Sequence, residues 1–300
     1  MTHLKDWFIR PVKMKDFKSI CQLAAEREPG LTSLSRSKTK IQHMIEESIM
    51  SFKIAKQSIS FLFVLEKKNT KRIAGTCRII RSVGTHMPFF SYIQEEQKYN
   101  YRSKNIIHKV LVPQILRHGP TEIGTLYLSP KFRGLGLGKL LSFSRFLFIA
   151  QFPTLFTQQI ITELRGISDL DGNSPFWKYV GQNLFKMTFK EADQLSSLET
   201  HFIEALMPQI SINTSLLPKV AQKCIGKVHP KTIAAYRLLS QIGFKPTGHI
   251  DIFDAGPKLS ANRDQILPIQ QSQTGTVQIS KKKIKHKQNI LLAKKSFAMF

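Results

Sequence analysis

An apolar run, Ile123-Gly124-Thr125-Leu126-Tyr127-Leu128, leads within a few residues into Arg133-Gly134-Leu135-Gly136-Leu137-Gly138, and an apolar helical pattern from Leu140 to Ala150 follows at once. Strand, glycine loop and helix in that order constrain the fold more than any other stretch, because together they make an anion site out of backbone. The start of a helix leaves N–H groups unpaired and carries the positive end of the helix dipole. Glycines let those groups approach a pyrophosphate with no Cβ in the way. The spacing is too short for the dinucleotide fingerprint Gly-x-Gly-x-x-Gly and lacks the Gly-Lys-Ser/Thr ending of a nucleotide P-loop. A tight strand-to-helix turn needing small residues is the plainer alternative.

The rest of the chain supplies the material of an α/β domain. Phe8-Ile9-Arg10 reads as a short strand stopped by Pro11, and Asp16 caps or opens a helix with Phe17, Ile20, Cys21, Leu23 and Ala24 at helical spacing. A second amphipathic helix is expected from Ser37 to Phe52, and a hairpin from the apolar runs 58–66 and 72–80 about the polar turn 67–71. Residues 84–118 read as irregular, an inserted loop with one strand near Val110 and Leu111. Beyond the glycine loop come a strand at Ile160–Arg165, a proline-opened helix at Ser174–Trp177 and short helices over 190–208. A helix from Thr232 to Ile242 closes at Gly243, a strand and turn run from Ile250 to Pro257, and Ile290–Ala293 is a late strand candidate.

Hydrophobic residues make up 42% of the 300, enough for a packed core, and no segment approaches the roughly 20 apolar residues that span a bilayer. Cys21, Cys77 and Cys224 are odd in number and widely spaced, and the N-terminus lacks an apolar leader, so reduced thiols in a cytoplasmic protein are expected. The net charge is +25; residues 281–300 hold seven lysines and no acid, which leaves +18 on residues 1–280. Such a field concentrates polyanions without choosing among nucleic acid, anionic membrane and CoA phosphates.

Nine stretches, in order, resemble the bacterial arginine N-succinyltransferase family. They are Ile9–Pro11, Gly30–Leu34, Thr125–Pro130, Leu141–Phe146, Glu163–Gly166, Ser174–Trp177, Phe202–Pro208, Ile225–Pro230 and Asp251–Pro257. The Arg-x-x-Gly-x-Gly loop is also that of the wider GNAT N-acyltransferases. The resemblance implies a GNAT-like acyl-CoA N-acyltransferase fold, expanded or tandem, with a mixed and mostly antiparallel sheet flanked by helices. It suggests an N-terminal half at 1–170 with the CoA loop, a second half at 171–260 with the Val-His-Pro segment, and a basic extension at 261–300. It also implies transfer of succinyl from succinyl-CoA, a co-substrate rather than a resident cofactor, to the α-amine of L-arginine.

Carried over by position, Leu126 looks like a backbone ligand of succinyl-CoA and His229 like the proton donor. Arg133, Gly134, Gly136 and Gly138 form the CoA loop, with Lys139 as a further phosphate partner. A histidine can supply the acid because its ordinary pKa lies near working pH, and Pro230 restrains the backbone that aims it. The succinyl carboxylate calls for a cation, and Arg145 and Arg165 both qualify. The guanidinium of the acceptor calls for a carboxylate. Among only 20 acids, Glu163, Asp251 and Asp254 stand in or beside apolar strands, the alternative being pairing with the protein's own arginines. The other histidines fit no metal spacing, and no metal is expected. The expected assembly is one of identical or related subunits, with neither membrane nor nucleic acid as partner. The chain is more basic than the family pattern, and its C-terminal region is shorter and lysine-rich. A paralogue acting on ornithine or another basic amine, and a degenerate basic binding protein, are the competing readings.

Overall fold

The computed structural model describes residues 2–27, 33–169, 171–198, 201–207, 209–276 and 291–293. The Gly30–Leu34 loop up to Thr32, Pro208, and most of the lysine-rich tail lie outside the described residues; Leu291–Ala293, inside them, form no strand.

The alternating runs become ten strands: β1 (Trp7–Pro11), β2 (Ser60–Lys67), β3 (Ile73–Ile80), β4 (Phe89–Tyr101), β5 (Lys104–Leu116), β6 (Thr121–Leu128), β7 (Gln159–Glu163), β8 (Ile212–Asn213), β9 (Lys245–Ile250) and β10 (Pro257–Asn262). They form one sheet in the order β1-β2-β3-β6-β7-β10-β9-β4-β5-β8. Its ladders are antiparallel except β6–β7, so the sheet is mixed and mostly antiparallel, with helices on its faces, as expected.

Helices Phe17–Glu26 and Lys38–Lys53 cover one face of β2 and β3 through Ile20, Leu23, Ile41 and Ile45. The Ser37 side chain caps the second by accepting from the Lys40 N–H. On the opposite face, helices Leu137–Gln151 and Ile233–Gln241 enclose the largest core, with Phe61, Ile123, Phe146, Ile149, Leu239 and Phe244. Gly243, at φ +112°, ends the latter helix. A further core gathers where Trp177 stacks between Phe185 and Phe253, at 5.4 and 5.3 Å, beneath Phe90, Tyr92 and Ile250. Among the described residues no helix is long and apolar enough to cross a membrane.

Two expectations are corrected. Residues 84–118 are not an irregular loop: 89–116 make a regular hairpin, paired from Phe89↔Leu116 to Tyr101↔Lys104. Its two-residue turn, Arg102-Ser103, has φ of +47° and +62°, the twist a tight hairpin requires, reached without glycine. Its outer half is exposed on both faces, which erases the apolar alternation that marks a strand. The hairpin joins the sheet through Tyr92↔Ile250, so residues from early in the chain lie beside β9. Asp16 does open the helix as the residue before Phe17, but its side chain makes no cap bond to it. Its carboxylate accepts from Arg10 Nη1 at 2.6 Å and from the Lys13 N–H at 2.8 Å. Arg10 also donates to Glu66, so the acid serves a partly buried ion network.

Candidate active site

Among the described residues β6 and β7 are the only parallel pair of the sheet, and they part early. β6 and β7 are in register at Thr121↔Ile160 and Glu122↔Ile161 and pair no farther, although β6 runs on to Leu128 and β7 to Glu163. Beyond that point the facing edge of β6 is free of its neighbour. There β6 also bulges: Thr76 pairs with Tyr127 and Arg78 with Gly124, so Thr125 and Leu126 together face Cys77. Thr125 takes φ +47°, a strained value for a β-branched residue. Two hydrogen bonds of 3.2 Å hold it, one donated to the Ser33 carbonyl and one received from the Thr76 hydroxyl. The Leu126 side chain packs on the core.

The chain leaves β6 through the loop that carries Arg133 to Gly138. Gly134 and Gly136 have φ of +82° and +76°, and Gly136 is the residue at which helix Leu137–Gln151 begins. No side chain caps that start, and the first intrahelical bond is Leu140 N–H to the Gly136 carbonyl. The N–H groups of Leu137, Gly138 and Lys139 therefore precede the helical ladder and have no acceptor within it. A Cβ on Gly138 would meet only Leu128 Cδ2, at 3.9 Å, so the fold does not demand glycine there. Arg133 Nε donates to the Leu128 carbonyl at 3.3 Å, and the Lys139 ammonium lies 5.2 Å from the Phe143 ring.

His229 stands at the end of the other strand of the cleft. Its backbone N–H donates to the carbonyl of Arg165, two residues past β7, at 2.9 Å. Its ring is buried, and Nδ1 accepts from the Lys231 N–H at 3.2 Å. An accepting Nδ1 assigns the proton of the neutral ring to Nε2. Because β6 and β7 run parallel, His229 and the glycine loop sit on one edge of the sheet, and Val228, Leu126 and Leu137 share one core.

Carboxylates gather behind this edge. Glu163 on β7 faces Lys258 on β10, with Nζ 3.5 Å from Oε1; Lys258 is 3% exposed and also lies 4.2 Å from the Phe89 ring. Two residues beyond the last β6–β7 pair stand Gly124 and Glu163, and Glu122 lies against the open face of Gly124. Burial, then mutual repulsion, holds the carboxyl groups of Glu163, Glu122 and Asp254 above the ordinary carboxylate range, and burial does the same for Asp251; Lys258 pulls Glu122, Glu163 and Asp251 back. Asp254 spends both oxygens on backbone: Oδ2 accepts from the Gly166 N–H at 2.7 Å and Oδ1 from the Gly256 N–H at 2.9 Å. Asp251 Oδ1 accepts from the N–H groups of Phe253 and Asp254. These two acids hold the β9–β10 turn against the loop after β7.

Residues 7–268 match the family model described as arginine N-succinyltransferase beta subunit. The chain belongs to the arginine N-succinyltransferase family. Curated arginine N-succinyltransferases from Citrobacter koseri and Escherichia coli O6:H1 are 36% and 37% identical over 270 residues, 88% of this chain and 78% of each relative. Among solved structures, the Pseudomonas aeruginosa arginine/ornithine succinyltransferase subunit AI superposes with a TM-score of 0.81 at 31% identity, over 88% of this chain and 79% of that one. Family membership makes the chain an N-acyltransferase.

In this family member the residues singled out by the sequence fall in three places. Leu126 lies on β6 with the glycine loop after it, His229 is tied to the chain just past β7, and Glu163 faces Lys258 while Asp251 and Asp254 lie in the adjoining turn. Arg145 and Arg165 part company: the first is buried beneath helix Leu137–Gln151, the second bonds Ser168 Oγ at 2.8 Å beyond β7. Glu122, Lys258 and the bulge at Thr125 were not anticipated. Glu122 did carry a signal, an acid inside an apolar strand next to glycine. Lys258 carried none.

Proposed function

We propose that the chain transfers the succinyl group of succinyl-CoA to the α-amine of L-arginine. The observation that carries this reading is the opening between β6 and β7, bordered by the Leu126 bulge, the glycine loop and His229. In this reading the pyrophosphate of CoA lies on the N–H groups after Gly136, with Arg133 beside it, and the thioester passes along β6, where the Leu126 backbone orients it. The acceptor amine attacks as the neutral base, a new C–N bond forms, and the C–S bond breaks. His229 Nε2 gives its proton to the departing thiolate, and the proton shed by the attacking nitrogen passes through water back to the imidazole, so the ring ends neutral. Glu163, with Glu122 and Asp251 near it, offers carboxyl oxygens as acceptors for a guanidinium, and the arriving cation favours their ionised form.

Purified protein supplied with succinyl-CoA is expected to release free CoA only when the acceptor is present, arginine giving the highest rate in a panel with ornithine and lysine. No release with any of the three overturns the reading. Ornithine is the second acceptor to test, because the Pseudomonas aeruginosa relative is described as acting on both. The words "subunit" in that description and in the family's support an assembly of identical or related chains, which sedimentation of the purified protein tests.

A further inference from the structure

A succinyl thioester ends in a carboxylate, and the donor half of the proposed site still lacks a cation for it. Helix Leu137–Gln151 buries an arginine on its sheet-facing side: Arg145 is 2% exposed, in line with Leu141, Phe148 and Ile149. Its Nε donates to the Ser142 carbonyl at 3.3 Å and its Nη2 to Ser142 Oγ at 2.9 Å. Among the described residues no carboxylate pairs with it. Arg27, equally buried, has Asp193, and Arg10 and Arg78 have Asp16 and Glu47. An enclosed cation without an anion is costly even after relaxation, and two neutral oxygens of its own helix offset little of that.

The position of Arg145 gives the charge a use. Ser144, its neighbour, places Oγ 3.8 Å from Cys77 Sγ, and Arg145 is near enough for its charge to act on that thiol. Cys77 is the residue on β3 that faces Thr125 and Leu126 across the bulge. The helix turn that carries Arg145 thus lies beside the β3 residue opposite Leu126, the backbone proposed to orient the acyl group. The distal carboxylate of a succinyl group extends about 4 Å beyond the thioester carbon. We propose that Arg145 binds the free carboxylate of a dicarboxylic acyl group carried by CoA, and so selects succinyl over uncharged chains of the same length. This rests on reading the β6–β7 cleft as the acyl-CoA site. Discrimination follows because butyryl-CoA puts a methyl group against the guanidinium and leaves it desolvated with no partner.

The test compares kcat/KM for succinyl-CoA and butyryl-CoA in the wild type, Arg145→Met and Arg145→Lys, with thermal melts of each. The ratio of the two donors is expected to fall roughly 10²-fold in Arg145→Met, the scale of losing one side of a buried charge pair, and less in Arg145→Lys. The Met variant is expected to melt no lower than the wild type, because an apolar side chain replaces an unmatched cation. If both variants keep the wild-type ratio within about twofold, Arg145 is not the selector. If Arg145→Met does not fold, an unchanged ratio in Arg145→Lys overturns the proposal. A wild type that prefers butyryl-CoA sinks the succinyl reading as well; one that prefers succinyl-CoA while the variants keep that preference sinks the role of Arg145 alone.

Discussion

The backbone N–H of His229 donates to the carbonyl of Arg165 at 2.9 Å, joining the segment before helix Ile233–Gln241 to the chain just beyond β7. The next residue, Gly166, donates its own N–H to Asp254. One short loop is therefore pinned on one side by the proposed acid and on the other by the β9–β10 turn, and the position of the imidazole depends on residues far away in the chain.

Replacing His229 by alanine is expected to lower kcat by roughly 10²–10⁴ while leaving acyl-CoA affinity largely intact, since the ring acts on the leaving group and not on the pyrophosphate. Steady-state kinetics beside a direct binding titration separate the two effects. An unchanged kcat removes His229 from the chemistry.

Asp254→Ala strips the acceptors from two enclosed N–H groups, Gly166 and Gly256. Each lost partner costs about 1–3 kcal/mol, so denaturant titration is expected to show a stability loss of about 2–5 kcal/mol. The same variant shifts the loop that holds His229, and kcat is expected to drop even under conditions where the protein is fully folded. Full activity in the folded variant would show that the loop is held by other means.

Stability is expected to fall as pH rises above neutrality. Burial raises the carboxyl groups of Glu122, Glu163, Asp251 and Asp254, the last to about 8. A group with a raised folded-state pKa makes the folded protein bind more protons than the unfolded chain. Its contribution is complete below the ordinary carboxylate pKa and is lost as pH climbs through the raised value. Asp16 opposes this on the acid side: Arg10 and the Lys13 N–H hold it low, so its contribution disappears as pH falls. Melting curves across the pH range should pass through a mildly acidic maximum, and Glu122→Gln should flatten the alkaline decline. A melting temperature that keeps rising into the alkaline range contradicts the buried cluster.

The glycine loop separates folding from binding. Gly136→Ala forces an L residue to φ +76° and is expected to cost about 1–2 kcal/mol in stability. Gly138→Ala meets only a distant leucine methyl, so its melting temperature should stay near wild type. Its added Cβ nevertheless enters the space beside the unpaired N–H groups, and KM for acyl-CoA should rise about tenfold or more. Equal KM values for Gly138→Ala and wild type would place the phosphates elsewhere.

Legibility followed local physics. The strand at 123–128, its glycine loop and the helix that follows are readable because period and glycine placement belong to adjacent residues. The hairpin at 89–116 was not, because its arms are solvated on both faces and its turn adopts positive φ with arginine and serine. Asp16 looked like a helix cap because its short-range context fits one, yet the Arg10 guanidinium outcompetes the helix N–H groups for it.

By itself, the order of residues determined most of the elements, the family and the place of the glycine loop, all of them properties of short stretches. The tertiary structure alone decided that β6 and β7 part after two pairs, that β6 bulges at Thr125 and Leu126 opposite Cys77, and that Glu122, Glu163, Asp251 and Lys258 converge from β6, β7, β10 and the β9–β10 turn. It also decided which of two candidate arginines is enclosed without a carboxylate. Burial and distance between remote segments set those outcomes, and neither is a property of any local stretch of chain.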